Sequence, residues 1–243
     1  MKLNGNTILI TGGASGIGLA LVKLLYSTNK IIVCGRNKAR LEELQNQLPD
    51  VVTYQCDLSD EADLNRLADV LLAEHPNLNI LINNAGVQYN VLFTSEQAEA
   101  SAIREEVAVN LLAPIYLTNR LLPNLMRHNQ AAVVNITSAL AIAPKKNAAV
   151  YCASKSALRS FTRALRYQLE DSSVGVFELI PALVDTEMTQ GRGKNKMTPQ
   201  DFAKEALTAI TANKNTVLIG KSKLLYLLYR IFPFLAYSLM KNA

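Results

Sequence analysis

The chain of 243 residues has few of the residues that build disulfide frameworks and metal sites. Its three cysteines are an odd number and lie in no CxxC pair, which argues against both a disulfide framework and a zinc site and favours a reducing compartment. Its two histidines, His75 and His128, cannot form a HExxH helix or a three-histidine site, and we expect both at the surface. We therefore expect no metal centre.

Glycine and proline are also scarce, at 11 and 8 residues, which excludes collagen-like and low-complexity chains. The first apolar run, Ile8 to Ile10, is too short for a signal peptide. The nearest candidate for a membrane span, Leu224 to Met240, contains Arg230 and Pro233. We therefore expect no transmembrane helix and a cytoplasmic location.

Apolar residues make up 49% of the chain and charged residues 19%, which is the balance of a globular protein. The length allows one large domain or two small ones, and without a linker or an internal repeat we expect a single domain over residues 1–243. The charged residues are unevenly distributed along the chain. Residues 188–243 hold nine basic and two acidic residues, whereas the rest holds 16 basic and 18 acidic.

A basic C-terminal quarter can face an anionic ligand, a membrane surface or nucleic acid, or it can be a solvated loop and tail rich in lysine. No helix-turn-helix, zinc-finger or RNA-binding signature is present, so we do not expect nucleic acid as a partner.

Short β-branched runs alternate with longer helical patterns along the chain, which predicts a parallel sheet covered by helices on both faces. The expected architecture is a doubly wound α/β fold of the Rossmann type with a seven-stranded sheet. The predicted strands are Thr7–Thr11, Ile31–Cys34, Val51–Cys56, Ile80–Asn83, Val133–Thr137, Val174–Ile180 and Thr216–Ile219. The predicted helices are 16–26, 38–48, 61–74, a long region ending near 127, 151–170 and 199–211.

The first predicted strand runs into the glycine-rich turn Thr11–Gly18, which has the spacing GxxxGxG. Gly12 permits a tight turn, Gly16 lets main chain approach a pyrophosphate, and Gly18 lets the next helix pack closely on the strand. The N-terminus of that helix offers N–H groups to phosphates. The turn therefore predicts a dinucleotide site, and it is not a P-loop because no GK[ST] follows.

The second predicted strand ends without the acidic residue that binds the ribose 2′-hydroxyl of NAD. Arg36 stands there instead, where a guanidinium can pair with a 2′-phosphate. This favours NADP(H) over NAD(H). Asp57 ends the third strand and either accepts a hydrogen bond from adenine or caps the next helix.

The fourth strand is followed by Asn84, Ala85 and Gly86. Ala85 and Gly86 are small enough to let a ribose or adenine lie against the main chain.

Ser138 follows the fifth strand, and Tyr151 and Lys155 lie at i and i+4 on the next helix. An adjacent lysine cation favours the phenolate and lowers the pKa of a tyrosine, which suits Tyr151 as an acid/base group. Pro114 has no N–H and leaves the carbonyl of Asn110 without its helical partner, so it predicts either a water bound there or a structural kink. We expect Cys152 to pack within its helix rather than act as a nucleophile.

These motifs together resemble the classical short-chain dehydrogenase/reductase family over residues 5–190: TGGASGIG, NNAG, the Asn of VAVN, the Ser of ITS and YCASK. The segments NLNILINNAGVQ and QCD also resemble bacterial oxidoreductases of D-alanylation loci. The resemblance implies a catalytic tetrad of Asn110, Ser138, Tyr151 and Lys155. It implies that the cofactor contacts Gly12, Ser15, Gly16, Ile17, Gly18, Arg36, Asp57, Leu58, Asn84, Ala85, Gly86, Tyr151, Lys155, Pro181, Val184 and Thr186. Ala182 departs from the Pro-Gly of the family, and Ala is strained if that position needs a positive φ.

The predicted function is an NADP(H)-dependent oxidoreductase that moves a hydride between nicotinamide and a carbonyl or secondary alcohol, with Tyr151 as the acid/base. The alternative is an NADP(H)-binding regulatory protein without turnover. The resemblance also implies a homodimer or homotetramer.

Two segments bear on the substrate. Residues 188–200 form a long irregular loop that suits a lid, and its Arg192, Lys194 and Lys196 tolerate an anionic group. Residues 221–243 are apolar and basic, and residues 221–240 can line a substrate entrance, pack on a second subunit or lie on a membrane surface. Their apolar character favours a hydrophobic substrate. The identity of the substrate stays open.

Overall fold

A computed structural model describes residues 1–94 and 99–242. Seven strands in this part of the chain form one parallel sheet. They are β1 (Thr7–Thr11), β2 (Lys30–Gly35), β3 (Val52–Gln55), β4 (Leu78–Asn83), β5 (Ala131–Ile136), β6 (Val174–Pro181) and β7 (Thr216–Ile219). Their order is β3-β2-β1-β4-β5-β6-β7, so the chain reverses its winding between β1 and β4. Doubly wound folds place their ligand crevice at that point, beyond the carboxyl ends of the strands.

Helices cover both faces of the sheet. They are α1 (Gly16–Leu25), α2 (Lys38–Gln47), α3 (Glu61–Glu74), α4 (Ala100–Val107), α5 (Ala113–Leu125), α6 (Ala149–Gln168), α7 (Pro199–Thr211), α8 (Ser222–Ile231) and α9 (Pro233–Lys241). Alternate side chains of β1 point to opposite faces: Ile8 and Ile10 pack with α1, α2 and α7, whereas Leu9 packs with α3, α5 and α6. The predicted Rossmann-type fold with its seven strands is confirmed.

The long helical region expected to end near residue 127 is divided. A π-helical segment, Ala108–Leu112, joins α4 to α5, and Pro114 lies directly after it. The missing N–H of Pro114 removes one α-helical hydrogen bond, which accounts for the irregular winding at this point. The C-terminal apolar stripe forms two helices, because Pro233 begins α9 and cannot continue α8. No helix among the described residues is long and apolar enough to cross a membrane.

The expectation that both histidines lie at the surface is wrong for His75. This side chain is buried, its Nε2 lies 2.8 Å from the hydroxyl of Tyr54, and burial holds its pKa below the usual value. His75 follows the last turn of α3, and its ring packs edge-on against Tyr54 of β3. This packing buries the imidazole although the residue is polar.

Candidate active site

A cavity of about 880 Å³ opens at the carboxyl edge of the sheet, where the loops after β1, β2, β4, β5 and β6 meet. Most residues predicted as site residues line it. These are Gly12, Ser15, Gly16, Ile17, Arg36, Asp57, Leu58, Asn84, Ala85, Gly86, Ser138, Tyr151, Lys155, Pro181, Val184 and Thr186. Gly18 and Asn110 lie behind this lining and do not face the cavity. The loops therefore bring together residues that are up to 174 positions apart, from Gly12 to Thr186.

The turn between β1 and α1 fits closely against the loop after β4. Gly12 and Gly16 have φ values of +64° and +51°, in the left-handed region that favours glycine. A Cβ on Gly18 would lie 2.6 Å from the Asn84 side-chain nitrogen and closer still to the carbonyl oxygen of Gly12. Only glycine fits there, so α1 begins directly beneath the cavity with its N–H groups facing it.

Thr11 ties these two loops together, and the sequence analysis missed it. Its hydroxyl oxygen accepts hydrogen bonds from the main-chain N–H groups of Asn84 and Ala85, both at 3.0 Å. The Asn84 side chain donates in return to the Thr11 carbonyl at 2.8 Å. Because β1 and β4 are neighbours, a threonine at the end of β1 is a signal that could have been found once the strand order was known.

Two arginines lie at the end of the cavity beside β2. Arg36 pairs with Glu105 of α4 at 2.6 Å. Arg40, which the sequence analysis missed, donates to both carboxylate oxygens of Glu187 at 3.0 and 2.8 Å. The signal for Arg40 was its position in the first turn of the helix that follows β2, directly after the loop that carries Arg36. Both guanidinium groups line the cavity while each holds a carboxylate partner.

Asp57 does not cap α3, contrary to one of the two alternatives given for it. The cap is Asp60, whose side chain accepts from the N–H of Asp63 at 2.9 Å. Asp57 instead accepts from the N–H and the hydroxyl of Ser59, at 2.9 and 2.7 Å, and still lines the cavity. These two bonds fix the carboxylate at the carboxyl end of β3.

Asn110 is fully buried within the π-helical segment and clamps the loop after β4. Its side-chain oxygen accepts from the Val87 N–H at 2.9 Å, and its nitrogen donates to the Val87 carbonyl at 2.8 Å. A Cβ on Gly86 would lie 3.0 Å from the Asn110 oxygen and 3.6 Å from Lys155 Nζ. Asn110 therefore holds the main chain that lies against Lys155.

Tyr151 and Lys155 share one face of α6, with Nζ 5.9 Å from the centre of the phenol ring. Lys155 donates to the Ile136 carbonyl, at the end of β5, at 2.9 Å. Ser138 begins the next turn, where its oxygen accepts from the Leu140 N–H at 3.1 Å. Cys152 is buried beside Tyr151, as expected, and its sulfur accepts from the Lys145 N–H at 3.4 Å.

The pKa of Tyr151 differs from the sequence expectation. Burial raises the pKa of Tyr151 to about 12, although the Ser138 hydroxyl and the charge of Arg192 act in the opposite direction. Burial also lowers the pKa of Lys155 from 10.5 to about 8. The pKa of Tyr151 was therefore predicted in the wrong direction for the protein without a bound ligand. Helix spacing accounts for the neighbouring charge of Lys155 but not for the desolvation of the phenol.

The loop after β6 closes the other end of the cavity. Thr186 begins a short 3₁₀ turn, Glu187–Thr189, and the Asp185 N–H donates to the Met197 carbonyl at 2.8 Å, which fastens both ends of the loop. Of the three loop cations, only Arg192 lines the cavity; Lys196 pairs with Asp185 at 2.9 Å and Lys194 is exposed.

Ala182 does not have the positive φ that would strain an alanine at this position. The non-glycine residues with positive φ in the described chain are Asn195 and Asn213, so the departure from Pro-Gly is accommodated in an ordinary backbone conformation.

A parallel sheet of this order, with a glycine-rich turn after its first strand, is the architecture of the Rossmann-type dinucleotide-binding folds. The sequence model of the family described as short chain dehydrogenase matches residues 6–197. The chain therefore belongs to the short-chain dehydrogenase family of oxidoreductases.

Among known proteins, the chain is 44% identical over 207 residues to the uncharacterized oxidoreductase DltE of Bacillus subtilis (strain 168), covering 84% of this chain and 82% of that protein. This agrees with the resemblance to oxidoreductases of D-alanylation loci. A short-chain dehydrogenase from Sphingobium yanoikuyae in complex with NADPH superposes with a TM-score of 0.82 at 26% identity, covering 95% of each chain. One from Burkholderia phymatum in complex with NAD gives 0.86 at 22% identity, covering 100% and 97%, which shows the fold alone.

Proposed function

We propose that this protein is an NADP(H)-dependent oxidoreductase that interconverts a carbonyl compound and a secondary alcohol. The observation that carries the proposal is the position of Tyr151, which is buried in the cavity with Lys155 one helical turn further on and Ser138 across from it. A bound nicotinamide supplies the hydride in reduction and accepts it in oxidation. The protein supplies the proton, the orientation and the electrostatics.

In the direction of reduction, Ser138 donates a hydrogen bond to the substrate oxygen and holds it beside Tyr151. As the hydride reaches the carbonyl carbon, the Tyr151 hydroxyl gives its proton to the developing alkoxide, and solvent later returns a proton to the phenolate. A high pKa keeps this proton in place at neutral pH. Lys155 binds the ribose hydroxyls and stabilises the phenolate, while Asn110 holds the loop that lies against it.

Residues at the dinucleotide end support the choice of NADP(H). The chain places Arg36 and Arg40 on the cavity wall at the end of β2, where the 2′-position of the adenosine ribose is expected. A guanidinium pairs with phosphate in a bidentate geometry that a ribose hydroxyl cannot offer. Glu105 and Glu187 keep these groups ordered until a 2′-phosphate competes for them. NAD(H) gains nothing from either arginine.

The test is transfer of deuterium from NADPH labelled at C4 to the product of a panel of ketones and aldehydes, read by mass spectrometry. Label in the product alcohol supports an oxidoreductase. The alternative, a regulatory protein that binds NADP(H) without turnover, predicts tight cofactor binding by calorimetry and no label in any product. Running the same panel with labelled NADH measures the cofactor preference.

We further propose that the chain assembles into a homodimer or homotetramer through α5 and α6. Leu112, Met126 and Tyr167 lie on or beside these helices with large exposed side chains. Sedimentation velocity measures the assembly, and Tyr167→Glu is expected to shift it towards the monomer. An unchanged mass would reject this face as the interface.

The segment formed by α8 and α9 is proposed to cover the substrate entrance and to touch a membrane peripherally. Met240 lines the cavity, and the Lys146 N–H donates to the Lys241 carbonyl, so the end of α9 lies beside the entrance. Its outer side exposes Leu224 at 70% and Phe234 at 81%, and residues 222–242 contain basic but no acidic side chains. Anionic vesicles should co-sediment the protein from a cytoplasmic fraction, and Phe234→Ser should reduce the fraction that pellets. If the same fraction pellets without vesicles, membrane contact is rejected.

A further inference from the structure

Two basic side chains line the cavity near Tyr151 without a carboxylate partner. Lys145 and Arg192 are both half-buried, and they form no ion pair with any acidic residue in the described ranges. This differs from the dinucleotide end, where Arg36 and Arg40 each hold a carboxylate. Half-buried cations without a counter-charge are costly, and such groups are found where a ligand supplies the missing charge.

The main chain of Lys145 and the guanidinium of Arg192 are held by neighbours that are not charged. The main chain of Lys145 is tied to Cys152, the residue after Tyr151, through its N–H. Arg192 donates from its main chain to the Thr189 carbonyl at 3.0 Å, and its guanidinium donates to the side-chain oxygen of Asn90 at 3.0 and 3.1 Å when that amide is turned towards it. A neutral amide oxygen orients a guanidinium and leaves its charge uncompensated.

Both cations line the same cavity as the phenol of Tyr151, and the main chain of Lys145 bonds to the next residue, Cys152. The charge of Arg192 adds to burial in lowering the pKa of Lys145, and it also acts on Tyr151. Glu106 is the buried carboxylate whose charge reaches Tyr151, but it accepts from the Tyr89 N–H and pairs with neither cation. Apolar side chains also line this part of the cavity: Leu140 packs with Tyr151, and Leu183 lies against Gly193, the residue after Arg192.

Resting on the function proposed above, we propose that Lys145 and Arg192 form an anion-binding subsite, and that the substrate is a carbonyl compound that carries a carboxylate or a phosphate. The anion lies between the ammonium and the guanidinium, an apolar segment lies against Leu140 and Leu183, and the carbonyl carbon is thereby presented to Tyr151. The subsite thus selects oxo acids and oxo phosphates over neutral ketones of the same shape.

The test compares oxo carboxylic acids with their methyl esters, and phosphate-bearing ketones with their neutral analogues, in steady-state kinetics with NADPH. The wild type should prefer the anionic member of each pair. Lys145→Met and Arg192→Met should each raise the KM for the anionic member about 10- to 100-fold and leave the KM for the neutral member unchanged. Any change in kcat that the lost charge of Arg192 causes through Tyr151 should be the same for both members. Arg192→Lys should restore part of the loss. Lys146→Met and Lys194→Met are the matched controls, since they remove the same charge from exposed neighbours, and should change nothing.

Three results would overturn the subsite: no preference in the wild type, equal losses with esters and acids, or a loss confined to NADPH affinity. If no carbonyl compound is turned over, the proposed function fails, and the subsite is then judged by calorimetry of inorganic phosphate and of the oxo acids with the NADP⁺-loaded protein. Binding that is lost in Lys145→Met and Arg192→Met but kept in both controls supports the subsite. The absence of anion binding rejects it.

Discussion

At the dinucleotide end of the cavity, the turn after β1 and the loop after β4 fit closely together, with Arg36, Arg40 and Asp57 beside them, whereas at the substrate end the walls are side chains from loops far apart in sequence. The Thr11–Asn84 contacts and the close fit of Gly18 leave little choice of residue at the first end. At the second end, the main chain of Lys145 is bonded to Cys152, and the Arg192 guanidinium is bonded to the exposed amide of Asn90. The comparison indicates that the fold determines how the cofactor binds, whereas loop side chains determine which substrate binds.

The largest effect is expected where the two ends join, at Asn110. Asn110→Leu removes both bonds to Val87 and leaves a half-buried N–H and a half-buried carbonyl without this partner. The two lost bonds together cost about 1–3 kcal/mol. Denaturant unfolding should show this loss, together with reduced turnover. Asn124→Leu, which removes one buried bond to the Leu78 carbonyl, is a control at a distance from the cavity and should lower stability without affecting KM.

The next effect concerns the dinucleotide end alone. Gly18→Ala forces a Cβ into the Gly12 carbonyl and the Asn84 side chain, which should cost about 1–3 kcal/mol of folding free energy. Displacement of the α1 N-terminus should weaken NADPH binding by about 100-fold, since small misplacements at a binding site have effects of this order. Gly35→Ala meets only Leu41 Cδ2 at 4.0 Å and should keep wild-type stability. Equal melting temperatures for the two variants would contradict the close fit.

A smaller effect should separate the two cofactors. Arg36→Met and Arg40→Met should each weaken NADPH binding about 10- to 100-fold and leave NADH binding unchanged. Glu187→Gln, which releases Arg40, should tighten NADPH binding about threefold. Lys38→Met is the control, since this lysine pairs with Glu42 on the surface. Parallel losses for NADPH and NADH would show that the arginines do not read the 2′-phosphate.

The sequence predicted the dinucleotide end of the cavity better than the substrate end. The fold and most of the dinucleotide end were predictable, because the glycine-rich turn and NNAG have spacings that reflect main-chain geometry. Thr11 and Arg40 were missed because their roles depend on which strands and loops are neighbours. The predicted direction of the pKa shift of Tyr151 was wrong, because an i, i+4 spacing gives no information about burial. Lys145 went unnoticed, since nothing in its local sequence shows that it lines the same cavity as Arg192.

The smallest effect is a pH dependence. In the mechanism proposed above, reduction needs the Lys155 ammonium, and burial lowers the pKa of Lys155 from 10.5 to about 8. The value of kcat/KM for reduction should therefore be level below about pH 8 and fall about tenfold per pH unit above it. Because the folded-state pKa is below the unfolded one, Lys155 should also make the protein more stable as the pH rises from 8 to 10.5. Because the shifted pKa values of Lys145 and the buried cysteines also affect stability in this range, the contribution of Lys155 is measured as the difference in unfolding free energy between the wild type and Lys155→Met. A difference that does not grow between pH 8 and 10.5 would assign the rise to another group.

We propose that chemistry and cofactor binding reside in separable parts of one cavity, with Tyr151 as the proton donor. Tyr151→Phe separates the two when it is assayed for NADPH-dependent reduction and titrated with NADPH by calorimetry. Turnover should fall by several orders of magnitude while the Kd for NADPH stays within about twofold of the wild type. Turnover that survives the loss of the hydroxyl would show that another group donates the proton.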